Sequence, residues 1–210
     1  CSFSEFIKFK HLHIFFAFPS TYYANINKLG KIDNLSSVTK EVKLILDPNA
    51  DPFANSDSSE NLPPSLFGAR DATDLNWVQL LNAYSCTECG RCSSVCPANQ
   101  TGKLLSPRKV MMDTRDRIED VGNNKNEDKF LLGDYISNEE LWACTTCNAC
   151  TDACPINLDP MSIIVDLRRY LVMEQSSAPA ELNNMFSNIE NNGAPWQFPA
   201  ADRLKWIDEQ

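Results

Sequence analysis

The hydrophobic residues of this chain recur mainly at the three- and four-residue spacing that places side chains on one face of an α-helix. Within residues 37–46, Val38, Val42 and Ile45 share such a face, and a similar pattern begins at Thr73 and runs into a first group of cysteines. No segment shows a convincing alternation of apolar and polar residues, which would predict a β-strand. The pattern therefore predicts a mostly α-helical protein.

Helix start and stop signals divide the second half of the chain into further helices. A proline directly follows Ser106 and Asp159, which is typical of a first helical position, and residues 137–140 have the sequence of a capping box. The predicted helices run from Pro107 to Gly122, from residue 137 toward a second group of cysteines, from Pro160 to about Met173, from Ala180 to about Ile189 and from Pro199 to Ile207. We expect their apolar residues to pack a core.

The N-terminal segment has a different character, because its apolar groups occur on several faces. Residues 5–18 combine five phenylalanines with two lysines and two histidines, and Pro19 ends the run. The run is too short and too charged to cross a bilayer alone, so we interpret residues 1–23 as the end of a membrane-proximal helix. A buried amphipathic helix of a soluble domain is the alternative. Residues 24–72 are predicted to be a linker region with one short helix, and residues 73–210 to form the main domain.

Composition and charge exclude several classes of function. The chain has 210 residues, 19 basic against 28 acidic side chains and a net charge of -9, so nothing builds the basic stripe of a nucleic-acid binder. Its seven glycines form no phosphate-binding motif, which argues against a nucleotide site. Residues 1–46 nevertheless hold six lysines and three acidic residues, a local excess of positive charge that suits an anionic membrane surface.

Eight of the nine cysteines form two runs of identical spacing. The first run is Cys86, Cys89, Cys92 and Cys96 followed by Pro97, and the second is Cys144, Cys147, Cys150 and Cys154 followed by Pro155. Both fit C-x2-C-x2-C-x3-C-P, the bacterial ferredoxin pattern for [4Fe–4S] clusters. Three thiolates spaced in this way can wrap one face of a cubane, while the fourth iron needs a ligand from elsewhere.

In two-cluster proteins with this pattern, the fourth cysteine of each run binds the other cluster. We therefore predict two [4Fe–4S] clusters, one held by Cys86, Cys89, Cys92 and Cys154, and the other by Cys144, Cys147, Cys150 and Cys96. Four disulfides and two structural zinc sites are the alternatives. Triplets at i, i+3 and i+6 suit a metal better than pairwise bridges, and zinc sites more often use two separated C-x-x-C pairs.

Residues 73–210 resemble the iron–sulfur subunits related to heterodisulfide reductase, which have relatives in glycolate oxidase and anaerobic glycerol-3-phosphate dehydrogenase. The resemblance is carried by both cysteine runs with their prolines, by Ser106-Pro107-Arg108 and by residues 191–196. It implies the α-helical ferredoxin fold. Members of the family often continue into domains with a Cys-Cys-Gly motif, and this sequence has no adjacent pair of cysteines.

Residues 11–23 are similar to the end of the last membrane helix of the respiratory nitrate reductase gamma subunit, where a histidine ligates haem b. By this resemblance His13 is the candidate haem ligand and His11 the second choice. The two lie two positions apart, so a helix cannot direct both at one iron. A histidine at the membrane interface without a metal is the alternative.

These features predict an electron-transfer module of a membrane-associated oxidoreductase complex at the cytoplasmic face of the inner membrane. It would relay single electrons between a membrane haem or quinone site and a soluble redox partner, without nucleotide or nucleic acid and without a catalytic residue of its own. The alternatives are a structural zinc scaffold and a complete soluble enzyme. Arg91 lies in the first loop and the second loop contains no basic residue, so we expect the first cluster to have the higher reduction potential.

Overall fold

The protein is mostly α-helical in a computed structural model that describes residues 12–26, 30–32, 34–47 and 67–208. The helices are α1 (Leu12–Tyr22), α2 (Ser36–Leu46), α3 (Trp77–Ser85), α4 (Arg91–Ser94), α5 (Pro97–Gln100), α6 (Pro107–Gly122), α7 (Asn138–Ala143), α8 (Ala149–Asp152), α9 (Pro160–Arg169), α10 (Ala180–Asn192) and α11 (Lys205–Asp208). Within these ranges no β-strand forms, and one isolated bridge joins Leu132 to Ile136. The predicted helical class is confirmed.

The chain divides into two compact units, Cys1–Glu174 and Gln175–Gln210. The second unit contains α10, which ends at Gly193 in a left-handed conformation (φ 64°). In the same unit Arg203 donates a hydrogen bond to the carbonyl of Asn192, and Asn188 donates one to the carbonyl of Pro195. Both cysteine runs belong to the first unit, so the remaining description concerns that unit.

The predicted helix starts are confirmed by their capping contacts. The hydroxyl of Ser137 accepts from the backbone N–H of Glu140, whose carboxylate accepts in return from the Ser137 N–H. The side chain of Ser106 accepts from the N–H of Lys109, and that of Asp159 accepts from the N–H of Ser162. These side chains satisfy backbone donors that the first turn of a helix leaves unpaired.

Pro19 lies inside α1 rather than at its end. The helix continues past it, and the Pro19 carbonyl accepts from the N–H of Tyr23 at 3.0 Å. The inner face of α1 packs against α3: the buried Ser20 hydroxyl donates to the Asn82 side chain at 3.0 Å, and the Phe16 and Tyr84 rings are 6.0 Å apart. This part of the chain is thus attached to the helix that enters the first cysteine loop.

The buried hydrophobic residues in the described part of the first unit form a core between the helices that flank the two cysteine loops. Ile163, Ile164 and Leu167 of α9 are at most 1% exposed and pack with Met111 of α6 and Leu141 of α7. Because α6 follows the first loop and both α7 and α9 adjoin the second, the core holds the two loops in one fixed arrangement.

A buried ion pair joins the segment before α3 to the middle of α6. Two nitrogens of Arg117 donate to the carboxylate of Asp71 at 2.7 and 2.8 Å, and the N–H groups of Ala72 and Leu131 donate to the same carboxylate. Burial raises the pKa of Asp71, but these hydrogen bonds outweigh it and the net pKa lies below its usual value. The pair was not predicted from the sequence.

Candidate iron–sulfur sites

The two cysteine runs enter their loops from equivalent capped helices. Asn76 caps α3 with a reciprocal contact to Gln79, and Ser137 caps α7 in the same way. Each helix ends at the first cysteine of its run, Cys86 or Cys144, whose N–H still bonds back into the helix. The start of each loop is therefore anchored to an element whose position is set by the core.

The backbone then makes the same turn in both loops. The residue before the second cysteine adopts a left-handed conformation in each, with φ 57° at Glu88 and φ 54° at Thr146. The residue after it does so again, with φ 81° at Gly90 and φ 60° at Asn148. Glycine and asparagine tolerate this region best, which explains their occurrence at the two equivalent positions.

These turns direct backbone N–H groups at cysteine sulfur. The N–H of Thr146 donates to the Cys144 sulfur at 3.4 Å, and the N–H of Glu88 makes the equivalent bond to Cys86. Hydrogen bonds of this kind stabilise negative charge on sulfur and are one of the means by which proteins set the potential of an iron–sulfur site.

A second pair of matching contacts follows the third cysteine of each run. The hydroxyl of Ser93 lies 2.7 Å from that of Ser106, the cap of α6, and the hydroxyl of Thr151 donates to Asp159, the cap of α9, at 3.2 Å. The short helices that carry these hydroxyls, α4 and α8, contact each other. The molecule thus contains an internal repeat whose halves meet between the two loops.

The structure brings the fourth cysteine of the second run to the first triplet. A cavity of about 70 Å³ is lined by Cys86, Cys89, Cys92 and Cys154, with Cys150 also at its wall. The remaining lining is largely apolar and includes Met111, Ile156 and Leu158. Four thiols around one apolar cavity are a donor set that fits a [4Fe–4S] cluster.

At the second triplet, burial raises the pKa of the Cys144 thiol, and the proximity of Cys96 from the first run raises it further. The eight described cysteines are all free thiols, so none of them forms a disulfide. In the described part of the chain, no three His, Cys, Asp or Glu side chains are arranged for binding a single metal ion.

The second cysteine is the exposed member of each run, although the buried members differ between the two runs. Cys86, Cys96 and Cys150 are buried, whereas the second cysteine of each run, Cys89 or Cys147, is exposed. Burial raises the pKa of the Cys150 thiol to about 12 and also raises that of Cys86. Because iron binds the thiolate, metal binding at these positions must release protons, and it couples to folding.

Arginine side chains adjoin both loops. The sequence did not indicate the arginine at the second loop. Arg91 and Arg108 line the first cavity, and Arg115 pairs with Glu88 of the first loop at 2.7 Å. Arg168, from α9, donates to the carbonyl of Cys144 at 2.6 Å. It lies 24 residues from that cysteine along the chain, so no local pattern could have indicated the contact.

Of the two candidate haem ligands, His13 is half-buried in α1, whereas His11 lies outside the described residues. The outer face of α1 is apolar and exposed, with Phe15 64%, Phe18 79% and Tyr22 81% exposed. No helix in the described ranges combines the length and the apolar character needed to cross a bilayer.

Comparison with known proteins agrees with this geometry. Residues 82–158, which contain both runs, match the family described as "4Fe-4S dicluster domain". One of the subunits of the Ferredoxin/F(420)H(2)-dependent CoB-CoM heterodisulfide reductase of Methanosarcina acetivorans is 34% identical over 99 residues, which are 47% of this chain and 52% of that protein. The chain belongs to the heterodisulfide reductase-related iron–sulfur family.

Two further relatives of this chain are longer proteins. The EtfAB:quinone oxidoreductase of Syntrophomonas wolfei is 33% identical over 69% of this chain and 24% of its own length. A probable membrane-anchored ferredoxin of Chromohalobacter salexigens is 30% identical over 66% of this chain and 24% of its own length. The chain therefore spans between about a quarter and a half of the curated relatives named here.

Proposed function

We propose that this chain is an electron-transfer module that holds two [4Fe–4S] clusters and relays single electrons within an oxidoreductase complex. The observation that carries the proposal is the repeated loop geometry together with the position of Cys154 at the cavity of the other run. Such a cluster, when bound, takes up and releases one electron at a time. The chain's own residues need only bind the two clusters, shield them from water and position them for their redox partners.

The proposed ligand sets follow the crossed arrangement. Cys86, Cys89, Cys92 and Cys154 would hold one cluster, and Cys144, Cys147, Cys150 and Cys96 the other. The apolar side chains around the first cavity would keep water away from it, and the N–H groups of Glu88 and Thr146 would stabilise thiolate charge. No general acid or base is required for this role.

The exposed cysteines indicate where redox partners would approach. Cys89 and Cys147 are the exposed members of their runs, so each site is nearest to solvent at that ligand. We propose one partner at each: a membrane haem or quinone site on one side and a soluble redox protein on the other. The name of the Syntrophomonas relative, a quinone oxidoreductase, supports the first of these.

We further propose that residues 1–23 lie against the cytoplasmic face of the inner membrane, with residues 24–72 linking them to a ferredoxin domain at 73–210. The exposed aromatic face of α1 and the name of the membrane-anchored relative support this placement. In a full-length parent, His13 would be a ligand of haem b. Absorption spectra of the reduced parent protein test this, because His13→Ala should abolish a haem b band that the intact protein shows.

Metal analysis tests the central proposal. Protein purified without oxygen should be brown, contain about eight iron and eight sulfide per chain and give electron paramagnetic resonance of two reduced clusters. A colourless protein with two zinc ions per chain would instead establish the scaffold alternative. About four iron per chain would contradict the two-cluster assignment.

A further inference from the structure

The second cysteine loop is contacted by a guanidinium that lacks a carboxylate partner among the described residues. Nη2 of Arg168 donates to the carbonyls of Leu141 and Cys144, each at 2.6 Å, and Nε donates to Leu141 at 3.1 Å. The guanidinium carbon lies 4.9 Å from the centre of the Trp142 ring. None of the ion pairs formed by the described residues includes Arg168.

The surroundings of Arg168 preserve the strength of its charge. The side chain is half-buried, and the groups it contacts are the backbone carbonyls of Leu141 and Cys144 at the end of α7 and the ring of Trp142. A charge removed from water is screened less by solvent and salt than an exposed one. Arginine stays protonated in such a setting, so this positive charge is permanent.

The first loop offers no equivalent. Arg115 is paired with Glu88 at 2.7 Å and lies 3.7 Å from Asp116, so carboxylates offset its charge. Arg91 and Arg108 line the first cavity but are exposed to solvent, where screening weakens them. The two loops therefore share a backbone conformation but differ in the arginine beside them: Arg115 is paired with carboxylates, whereas Arg168 bonds only backbone carbonyls.

We propose that Arg168 raises the reduction potential of the cluster held by the second triplet and Cys96, and that this site has the higher potential of the two. The inference rests on the proposed function. Reduction adds one electron, supplied by a chemical reductant such as dithionite, and makes the site more negative without making or breaking a bond. An adjacent positive charge favours that reduced state. This order of the two reduction potentials is the reverse of the one expected from the position of Arg91 in the first loop.

The test is a redox titration of the anaerobic, cluster-loaded chain, followed by electron paramagnetic resonance. Arg168→Gln should lower the equilibrium constant for reduction of one site on the order of tenfold, which is a shift of about 59 mV for one electron. The shifted component should be the one whose spectrum changes in Cys147→Ser. Arg169→Gln removes the same charge from the same helix, at a residue paired with Asp166, and should leave both potentials nearly unchanged.

Arg168→Lys separates charge from hydrogen-bond geometry. It keeps the positive charge but loses the fork that bonds Leu141 and Cys144, so the potential should move by less than half of the shift in Arg168→Gln. Equal shifts in both variants, or no shift in Arg168→Gln, would overturn the proposal. If Arg168→Gln fails to retain iron at the second site, Arg168→Lys decides alone: a preserved potential supports the inference and a tenfold fall overturns it. Absence of two cluster signals in the unmodified chain would instead refute the proposed function.

Discussion

Replacing Cys154 with serine removes a thiol that follows the second triplet along the chain but lines the cavity of the first. If the ligands are crossed, Cys154→Ser should damage the site formed by Cys86, Cys89 and Cys92, and leave the site of its own run intact. Serine is close in size to cysteine, so the packing around α8 and α9 should be little disturbed.

The expected magnitude follows from the number of sites. Loss of one of two clusters lowers the iron content from about eight to about four per chain and removes one electron from the reductive titration. Cys154→Ser and Cys89→Ser should abolish the same spectral component, whereas Cys96→Ser and Cys147→Ser should both abolish the other. The assay is iron and sulfide analysis combined with electron paramagnetic resonance of the anaerobic chain.

The matched control is Ala153→Ser, which places a hydroxyl at the neighbouring half-buried position without removing a thiol. It should retain both components and the full iron content. The reasoning fails if Cys154→Ser and Cys147→Ser abolish the same component, because each run would then hold its own cluster without exchange.

Three further predictions concern stability. Arg117→Met leaves the Asp71 carboxylate, 8% exposed, without its counter-charge and should cost about 3–5 kcal/mol in urea unfolding; a loss below about 1 kcal/mol would contradict the role of the pair. The folded pKa of Asp71 is lowered, so its ionised form stabilises the fold. This stabilisation should be complete above the unfolded pKa of about 3.9 and should be lost as pH falls toward the folded pKa. The urea midpoint of Asp71→Asn should not show this dependence on pH. Gly68→Ala places a Cβ 2.3 Å from the Asp166 carbonyl oxygen, at a residue with φ 93°. This change should lower the free energy of unfolding by at least about 1–3 kcal/mol. The control is Gly102→Ala, which is also at positive φ but has open space around it and should show only the smaller cost of backbone strain.

Features with local causes could be predicted from the sequence. The starts of α6, α7 and α9 follow from Ser106, Ser137 and Asp159, because a cap acts on backbone groups within one turn of itself. The cysteine spacing indicated the type of site for a similar reason, since each triplet forms from one short segment. The end of α10 was predicted near Ile189, and the helix extends three residues further, to Asn192.

Contacts between distant segments could not be predicted in this way. Arg117 meets Asp71 across 46 residues, and Arg168 meets Cys144 across 24; in neither case does a periodic pattern bring the partners together. The expectation about the two potentials counted only the charges adjacent to each cysteine in sequence, whereas the proposed reverse order depends on Arg168, which is distant from the second loop along the chain.

The matching halves of the first unit have an evolutionary consequence. Each half consists of a capped helix, a loop with two left-handed residues and a second capped helix, and the halves meet through their equivalent short helices α4 and α8. A gene encoding only one half could therefore yield a homodimer in which each protomer donates a thiol to the other. Duplication and fusion of such a gene would produce the present arrangement and leave each copy free to acquire its own surrounding charges.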